Sequence, residues 1–372
     1  MELAQLNRIT ISGFKSIKKC DIFLNKINVL IGSNGSGKSN FISAFSLLQD
    51  ILSENLRISA ARSGANTMLY NGRKTTKEIA VEVFFGSHSY GFVLVPTDDG
   101  RLIFEREYFG YYGAYETQSD ISHGHGESLW KIGVKDTASR YMQPILAKQN
   151  WRVYHFHDTG QNARVKQEHN ISNNHMLMND ASNLAAFLYR LKLNYNQNYT
   201  NIVNTVRLIA PYFLDFVLEP QEANRELIIL KWKQKGLDDI FNASQLSDGT
   251  LRFICLAALL LQPHELQPAT IIIDEPELGL PSYAITILSE MVKRLPNEKQ
   301  IIISTQSAEL LNEFDVDDVI VVDRDENGSK FKRLDEKKLA VWLEEDYTLE
   351  NLWKKNILGA RLSKVNLLAV KE

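Results

Sequence analysis

Gly32-Ser33-Asn34-Gly35-Ser36-Gly37-Lys38-Ser39 is the stretch on which the reading of this chain turns. It fits the pattern G-x-x-x-x-G-K-[ST]. The run INVLI (27–31) ahead of it reads as a buried strand, and NFISAFSLL (40–48) behind it carries helical spacing. Glycines let the backbone wrap closely around a phosphate and aim its N–H groups inward. The helix that follows adds the positive end of its dipole. Lys38 is then placed to reach the β- and γ-phosphates of a nucleotide, and the Ser39 hydroxyl to ligate Mg²⁺, with Asn40 on the next step of the helix. The bare pattern arises by accident in roughly one chain in a hundred of this length. The strand-loop-helix context is what makes it a nucleotide site.

Two further stretches complete the chemistry. Ile271-Ile272-Ile273-Asp274-Glu275 is an apolar strand ending in two carboxylates. Asp274 is placed to hold Mg²⁺, directly or through water, and Glu275 to orient or deprotonate an attacking water. Standing alone, the same pattern is equally a strand leaving the core into solvent. Leu246-Ser247-Asp248-Gly249-Thr250 precedes the apolar helix LRFICLAALLL. A serine and a glycine at a helix N-terminus make a second anion cradle; the plain alternative is a helix cap on Ser247 or Asp248.

Together GSNGSGKS, LSDGT and IIIDEPELGL resemble the ATP-binding-cassette ATPases, and the opening ITISGFKSIK resembles the first strand of SMC and RecF heads. WRVYHFHDTG, SNLAAFLYRL, STQS and LWKKN-x-LG are similar to stretches of a group of small bacterial ATPases with an AAA-type core. The resemblance runs from about residue 6 to 361. It implies an α/β fold: a P-loop ATPase head with a mixed sheet and an inserted α+β lid. It implies ATP and Mg²⁺ as cofactors. It also implies a head-to-tail homodimer in which Ser247 and Gly249 of one chain act on the other's γ-phosphate, with Leu278-Gly279-Leu280 linking the two sites. Lys15, in Phe14-Lys15-Ser16, lies where SMC-like heads approach the nucleotide; the alternative is a surface turn. Gln143 and Gln161 are both candidates for the family's water-contacting glutamine.

Three positions depart from the pattern. Asp180-Ala181-Ser182-Asn183-Leu184 stands where related chains often read DGSNLA, and Gly279-Leu280-Pro281 is one residue shorter than GLHP. Ser304-Thr305-Gln306-Ser307 puts Gln306 where transporter cassettes carry a histidine. Gln306 can donate and accept hydrogen bonds but cannot be a cation, which favours slow, switch-like hydrolysis.

The remaining constellations are weaker. Tyr154-His155-Phe156-His157-Asp158 puts two histidines on one strand face, but no further ligand stands at a recognisable spacing, so a structural or nucleotide-sensing role is preferred to a metal site. Lys231, Lys233 and Lys235 alternate opposite Trp232, as a phosphate-tracking patch would or as a solvated strand face would. Trp342, Leu343, Leu352 and Trp353 read as a packed helical end.

Composition bounds the function classes. Lys plus Arg is 42 against 45 Asp plus Glu, which excludes a strongly basic coat for nucleic acid. Two distant cysteines, Cys20 and Cys255, offer no zinc spacing and suggest a reducing compartment. The opening MELAQLNRITISGFKS has no long apolar segment, and Phe253–Leu261 is too short to span a bilayer that needs about twenty residues. The expectation is a cytoplasmic protein with no membrane partner. Strands are expected at Arg8–Ile11, Ile27–Ile31, across 78–110 with a turn at Asp99-Gly100, near Val153, at Phe213–Leu218 and at Glu226–Trp232. Residues 53–77 read as loop with broken helix, 111–150 as a mobile surface loop with His123 and His125 exposed, and 183–209 as helical. The expected division is an N-terminal lobe at 1–110, an inserted lid at 111–235 and a C-terminal lobe at 236–372. No heptad-rich arm separates Ser39 from Ser247, so the head has no long lever.

The function expected is a slow ATP-driven switch in DNA repair or anti-phage defence. The chain shows no nuclease motif, so a separate effector such as a nuclease is expected, with duplex DNA a candidate ligand. A transporter-energising subunit and a non-hydrolysing nucleotide-dependent scaffold are the alternatives.

Overall fold

Alternating buried and exposed side chains build the first sheet. In Ile17–Phe23, Ile17, Cys20 and Ile22 face the core while Lys18, Lys19, Asp21 and Phe23 face out. The structure, a computed structural model, describes residues 5–114, 116–132, 137–148, 151–344 and 347–359. Two compact units emerge: Met1–Trp151 with Ser304–Glu372, and Arg152–Ile303.

The first unit holds a six-stranded antiparallel sheet, in the order Ile17–Phe23, Leu6–Phe14, Ile79–Phe85, His88–Pro96, Leu102–Tyr112 and Glu116–Ser122. In the same unit the strand Ile27–Ile31 pairs in parallel with Val319–Asp325, which forms a hairpin with Gly328–Arg333. Val29, Leu30 and Ile31 are fully buried. The helix Lys38–Leu52 follows, with Phe41, Ile42, Phe45, Leu48 and Ile51 on its buried side. Phe41 packs on Phe331 of the hairpin, ring centroids 5.2 Å apart.

The second unit centres on the helix Asp248–Leu261, whose residues from Phe253 to Leu260 are all buried. The helices Leu184–Asn194 and Asn196–Ile209 pack against it, and Ser282–Lys293 lies alongside. The strand Thr270–Asp274 is buried except at Asp274. A three-stranded antiparallel sheet joins Phe213–Val217, Lys231–Gln234 and Ile240–Asn242. Cys20 and Cys255 are both buried, and burial pushes each thiol up to about 12. They are small core residues.

Several expectations are corrected. The first strand extends over Leu6–Phe14 and turns straight into Ile17–Phe23, because Lys15 adopts φ 49°. The segment expected as a loop after 110 holds the strand Glu116–Ser122 and the helix Thr137–Lys148; residues 115, 133–136 and 149–150 lie outside the described residues. That strand is polar on both faces and pairs only at an edge. Arg106 secures it, with a 2.6 Å bond to Asp120 and a 2.8 Å bond to Gln118. His123 is exposed, but His125 is not. It stacks on Phe104 at 4.5 Å and bonds at 2.9 Å to Glu107, a fully buried carboxylate that also accepts from Tyr90 and from the Leu129 N–H. The run from Glu226 to Trp232 breaks into Leu227–Ile228 and Lys231–Gln234. Near the C-terminus Leu352 and Trp353 are buried, whereas Trp342 is 38% exposed; the Leu343 side chain and residues 360–372 lie outside the described residues.

Truncating Phe41 to Ala removes the ring that seats the phosphate-loop helix on Phe331. We expect a loss of about 3–5 kcal/mol, read as a lower Tm in calorimetry. Ile58→Ala, at a 58% exposed position, is expected to change stability by less than about 0.5 kcal/mol.

Candidate functional site

The strand Ile27–Ile31 delivers the chain to Gly32 and the helix takes it up at Lys38, so the phosphate loop is the turn between them. Gly37 caps the helix at φ 115°, a conformation that L side chains rarely adopt. A Cβ there would run into the Ser329 side chain, and one on Gly32 would run into the Val322 carbonyl. At these two positions the loop is closed against the hairpin and leaves no space for a side chain, while Gly35 stands open. Lys38 is buried and folds back over the loop, donating to the carbonyls of Gly32 (2.7 Å) and Ser33 (3.2 Å).

A chain of hydrogen bonds supports this turn from outside. Asn40 Nδ2 donates to Ser16 Oγ (2.7 Å), Ser16 and Ser329 share a 2.7 Å hydroxyl contact, and Ser329 Oγ donates to the Ser36 carbonyl (2.6 Å). The carbonyl accepts only, so the Ser329 proton is committed to it and Ser16 must be the donor between the two hydroxyls. Ser16, Ser36 and Ser329 are all buried. Arg324, at the end of the parallel strand, reaches the Gly35 carbonyl at 3.3 Å. Lys15 stands beside Ser16, half-buried over the Phe14 ring, and burial draws its ammonium below the usual lysine value. Ser329 and Arg324 were missed in the sequence: they lie some 290 residues from the loop they touch.

These residues fit a polyphosphate. The cradle leaves no room for a Cβ at Gly32 or Gly37, and Ser36 Oγ is buried with no hydrogen-bond partner. Gly32 to Ser39, with Asn40, would hold the phosphates. Ser39, exposed on the first turn, offers a hydroxyl oxygen of the kind that Mg²⁺ takes. MgATP, when bound, supplies the phosphoanhydride to be broken.

The second unit assembles the other residues. Ser247 caps the helix Asp248–Leu261, its Oγ accepting from the Thr250 N–H at 3.2 Å. Ser247 and Asp248 are exposed, so this helix N-terminus opens to solvent. Gly249 packs directly on the Gly279 carbonyl, too tightly for any side chain. Arg252, one turn further on, donates to the Leu278 carbonyl and to the His157 carbonyl, each at 2.9 Å. His157 Nε2 in turn donates to the Asp274 carbonyl at 2.8 Å. Glu275 follows at φ 45°, left-handed and not glycine, a strain of about 1–3 kcal/mol.

Ser247, Gly249, Asp274 and Glu275 are thus joined through Arg252, His157 and the Leu278–Leu280 loop. His157 is engaged on a backbone carbonyl. Burial holds His155 below the ordinary imidazole value, against the pull of Asp274. Among the described residues no group of three or more His, Cys, Asp or Glu is placed to hold a metal ion. Gln306 is exposed just past the strand Gln300–Thr305, in the first unit. Of the two candidate glutamines, Gln143 donates to the Trp130 and Lys131 carbonyls, whereas Gln161 is exposed. The lysine patch is offset by acids. Lys231 shares a groove with Glu168, Glu219 and Glu222, and Lys233 stands in register with Asp215.

Fold and site together define an ATPase-type head. The family model for the RecF/RecN/SMC N-terminal domain matches residues 5–330, and the chain belongs to that family. A crystal structure of an Smc head bound to the C-winged helix domain of ScpA is similar at 17% identity and a TM-score of 0.58, covering 91% of this chain and 99% of that one. The Smc head with an extended coiled coil bound to the C-terminal domain of ScpA, from Pyrococcus furiosus, matches at 16% identity and a TM-score of 0.55, covering 92% and 99%. These likenesses show the fold. "Structural maintenance of chromosomes protein 3" from Arabidopsis thaliana is 42% identical over 55 residues, 14% of this chain and 5% of that protein. Among the described residues no helix is long and apolar enough to cross a membrane.

Ser329→Ala removes two of the bonds behind the phosphate loop, each worth about 1 kcal/mol. We expect nucleotide affinity, titrated with a fluorescent ATP analogue, to fall about 5- to 30-fold. Gly37→Ala should bind no analogue at concentrations that saturate the wild type.

Proposed function

We propose that this chain binds MgATP and hydrolyses it slowly as a head-to-tail homodimer. The exposed N-terminus of the helix Asp248–Leu261 carries this reading. Ser247 and Asp248 stand exposed at its first turn, where backbone N–H groups lack helical partners, and an anion supplied by a second chain would complete that cradle. In the assembled site the Gly32–Ser39 loop grips the phosphates of one chain's ATP. Ser39 and Asp274 hold Mg²⁺. Ser247 and Gly249 of the partner close over the γ-phosphate, and Glu275 takes a proton from the attacking water. Gln306 hydrogen-bonds near the γ-phosphate without adding a positive charge, which keeps turnover slow. ATP then acts as glue and hydrolysis as the timer that releases the dimer.

A switch of this kind needs an output. We assign it to a separate protein, such as a nuclease, in DNA repair or anti-phage defence. The similar Smc heads hold parts of ScpA, which supports an accessory partner for this head as well.

Glu275→Gln should trap the ATP-bound dimer. Light scattering with ATP and Mg²⁺ is expected to show twice the monomer mass, and Ser247→Arg in the same background to return it to monomer. A Glu275→Gln protein that binds ATP yet stays monomeric overturns the head-to-tail reading. Direct contact with duplex DNA is tested separately. Changing Lys231, Lys233 and Lys235 together to Glu should leave DNA affinity unaltered if the neighbouring glutamates already cancel the patch, and lower it by tenfold or more if the lysines track phosphates.

A further inference from the structure

Glu275 sits at φ 45°, where its Cβ crowds the following carbonyl. A strained residue persists only where its surroundings over-determine it. The peptide that sets this angle is the one between Asp274 and Glu275. Its nitrogen belongs to Glu275 and its carbonyl to Asp274, and that carbonyl accepts from His157 Nε2 at 2.8 Å. Turning the peptide to relieve Glu275 would swing the carbonyl away and break this bond.

His157 is itself held. Its own carbonyl accepts from Arg252 Nη2 at 2.9 Å, and Arg252 Nη2 also lies 3.4 Å from Thr159 Oγ1. The other arm of the same guanidinium donates to Leu278. A planar fork with fixed donor directions can hold two carbonyls at once, which a lysine ammonium does not reproduce. Arg252 lies on the helix that Ser247 caps, one turn from Gly249. A continuous set of bonds therefore runs from this helix, through Arg252 and His157, to the peptide that orients Glu275.

We propose that His157 and Arg252 are positioning residues that hold Glu275 in its left-handed conformation and tie it to the helix capped by Ser247 of the same chain. This rests on the ATPase reading above and extends it. Ser247 serves the partner's nucleotide while Glu275 serves the chain's own. Docking of a partner on the capped helix would thereby be felt at the chain's own water-activating carboxylate, and the two sites of a dimer would fire together.

The test uses the full chain with His157→Phe, which keeps a ring of similar size but has no donor. A crystal structure of this variant is expected to show residue 275 relaxed to negative φ. Steady-state kinetics should show kcat down about 10- to 100-fold with KM for ATP unchanged. His157→Gln, which can still donate from its Nε2, is expected to recover most of kcat. Arg252→Lys, which keeps the charge but not the fork, is expected to lower the Hill coefficient for ATP towards 1 at unaltered KM.

Glu275 remaining at positive φ in His157→Phe overturns the proposal, as does wild-type kcat in that variant. If the wild type turns over no ATP, the ATPase reading fails, and the crystallographic angle still decides whether His157 holds Glu275. Should His157→Phe not fold, the same angle is read in Arg252→Lys, where a retained positive φ with wild-type kcat and Hill coefficient likewise overturns it.

Discussion

The contact between Gly37 and Ser329 is the constraint on which the rest of the first unit depends. Gly37 has φ 115° and no room for a Cβ, so the turn into the helix Lys38–Leu52 exists only where the hairpin Val319–Arg333 presses against it. The hairpin brings Ser329 to the Ser36 carbonyl, and Ser329 brings Ser16 and Asn40 with it. Helix packing through Phe41 and Phe331 then fixes the hairpin in turn. Steric closure, hydrogen bonding and aromatic packing agree on a single loop conformation. Such agreement is what makes a cradle rigid before a ligand arrives.

The second unit solves a different problem with the same tools. Its Gly249 and Gly279 allow two backbones to meet, and Arg252 ties the Leu278 carbonyl beside that meeting to the carbonyl of His157. A charged donor to several carbonyls is stronger than a neutral one. The strained Glu275 is tolerated inside this frame, as functional outliers are when the scaffold around them is firm.

Much of this was legible in the sequence, and the reason is locality. The octapeptide at 32–39, the acid-tipped strand at 270–274 and the capped helix at 248–261 are each legible within fourteen residues. What escaped were residues whose partners are far away in the chain. Ser329 looks like an ordinary turn serine until it is seen under Gly37, and Arg252 like an exposed charge on an apolar helix until it is seen to hold two backbone stretches. The strand Glu116–Ser122 escaped for another reason: a polar edge strand has no hydrophobic period to read. His155 and His157 were visible as a pair, but no spacing reveals that His157 serves a carbonyl.

Ser16 and Ser329 are separated by 313 positions along the chain and by 2.7 Å in space. A ribosome makes the octapeptide some 290 residues before Arg324 and Ser329, which support it from the far side. During synthesis the nascent chain carries the complete octapeptide in an unfinished pocket. Loop closure over such a separation is slow and late. Nucleotide capture would thus report that the chain has been made and folded through Ser329, so products that stop short of it would be silent rather than partially active.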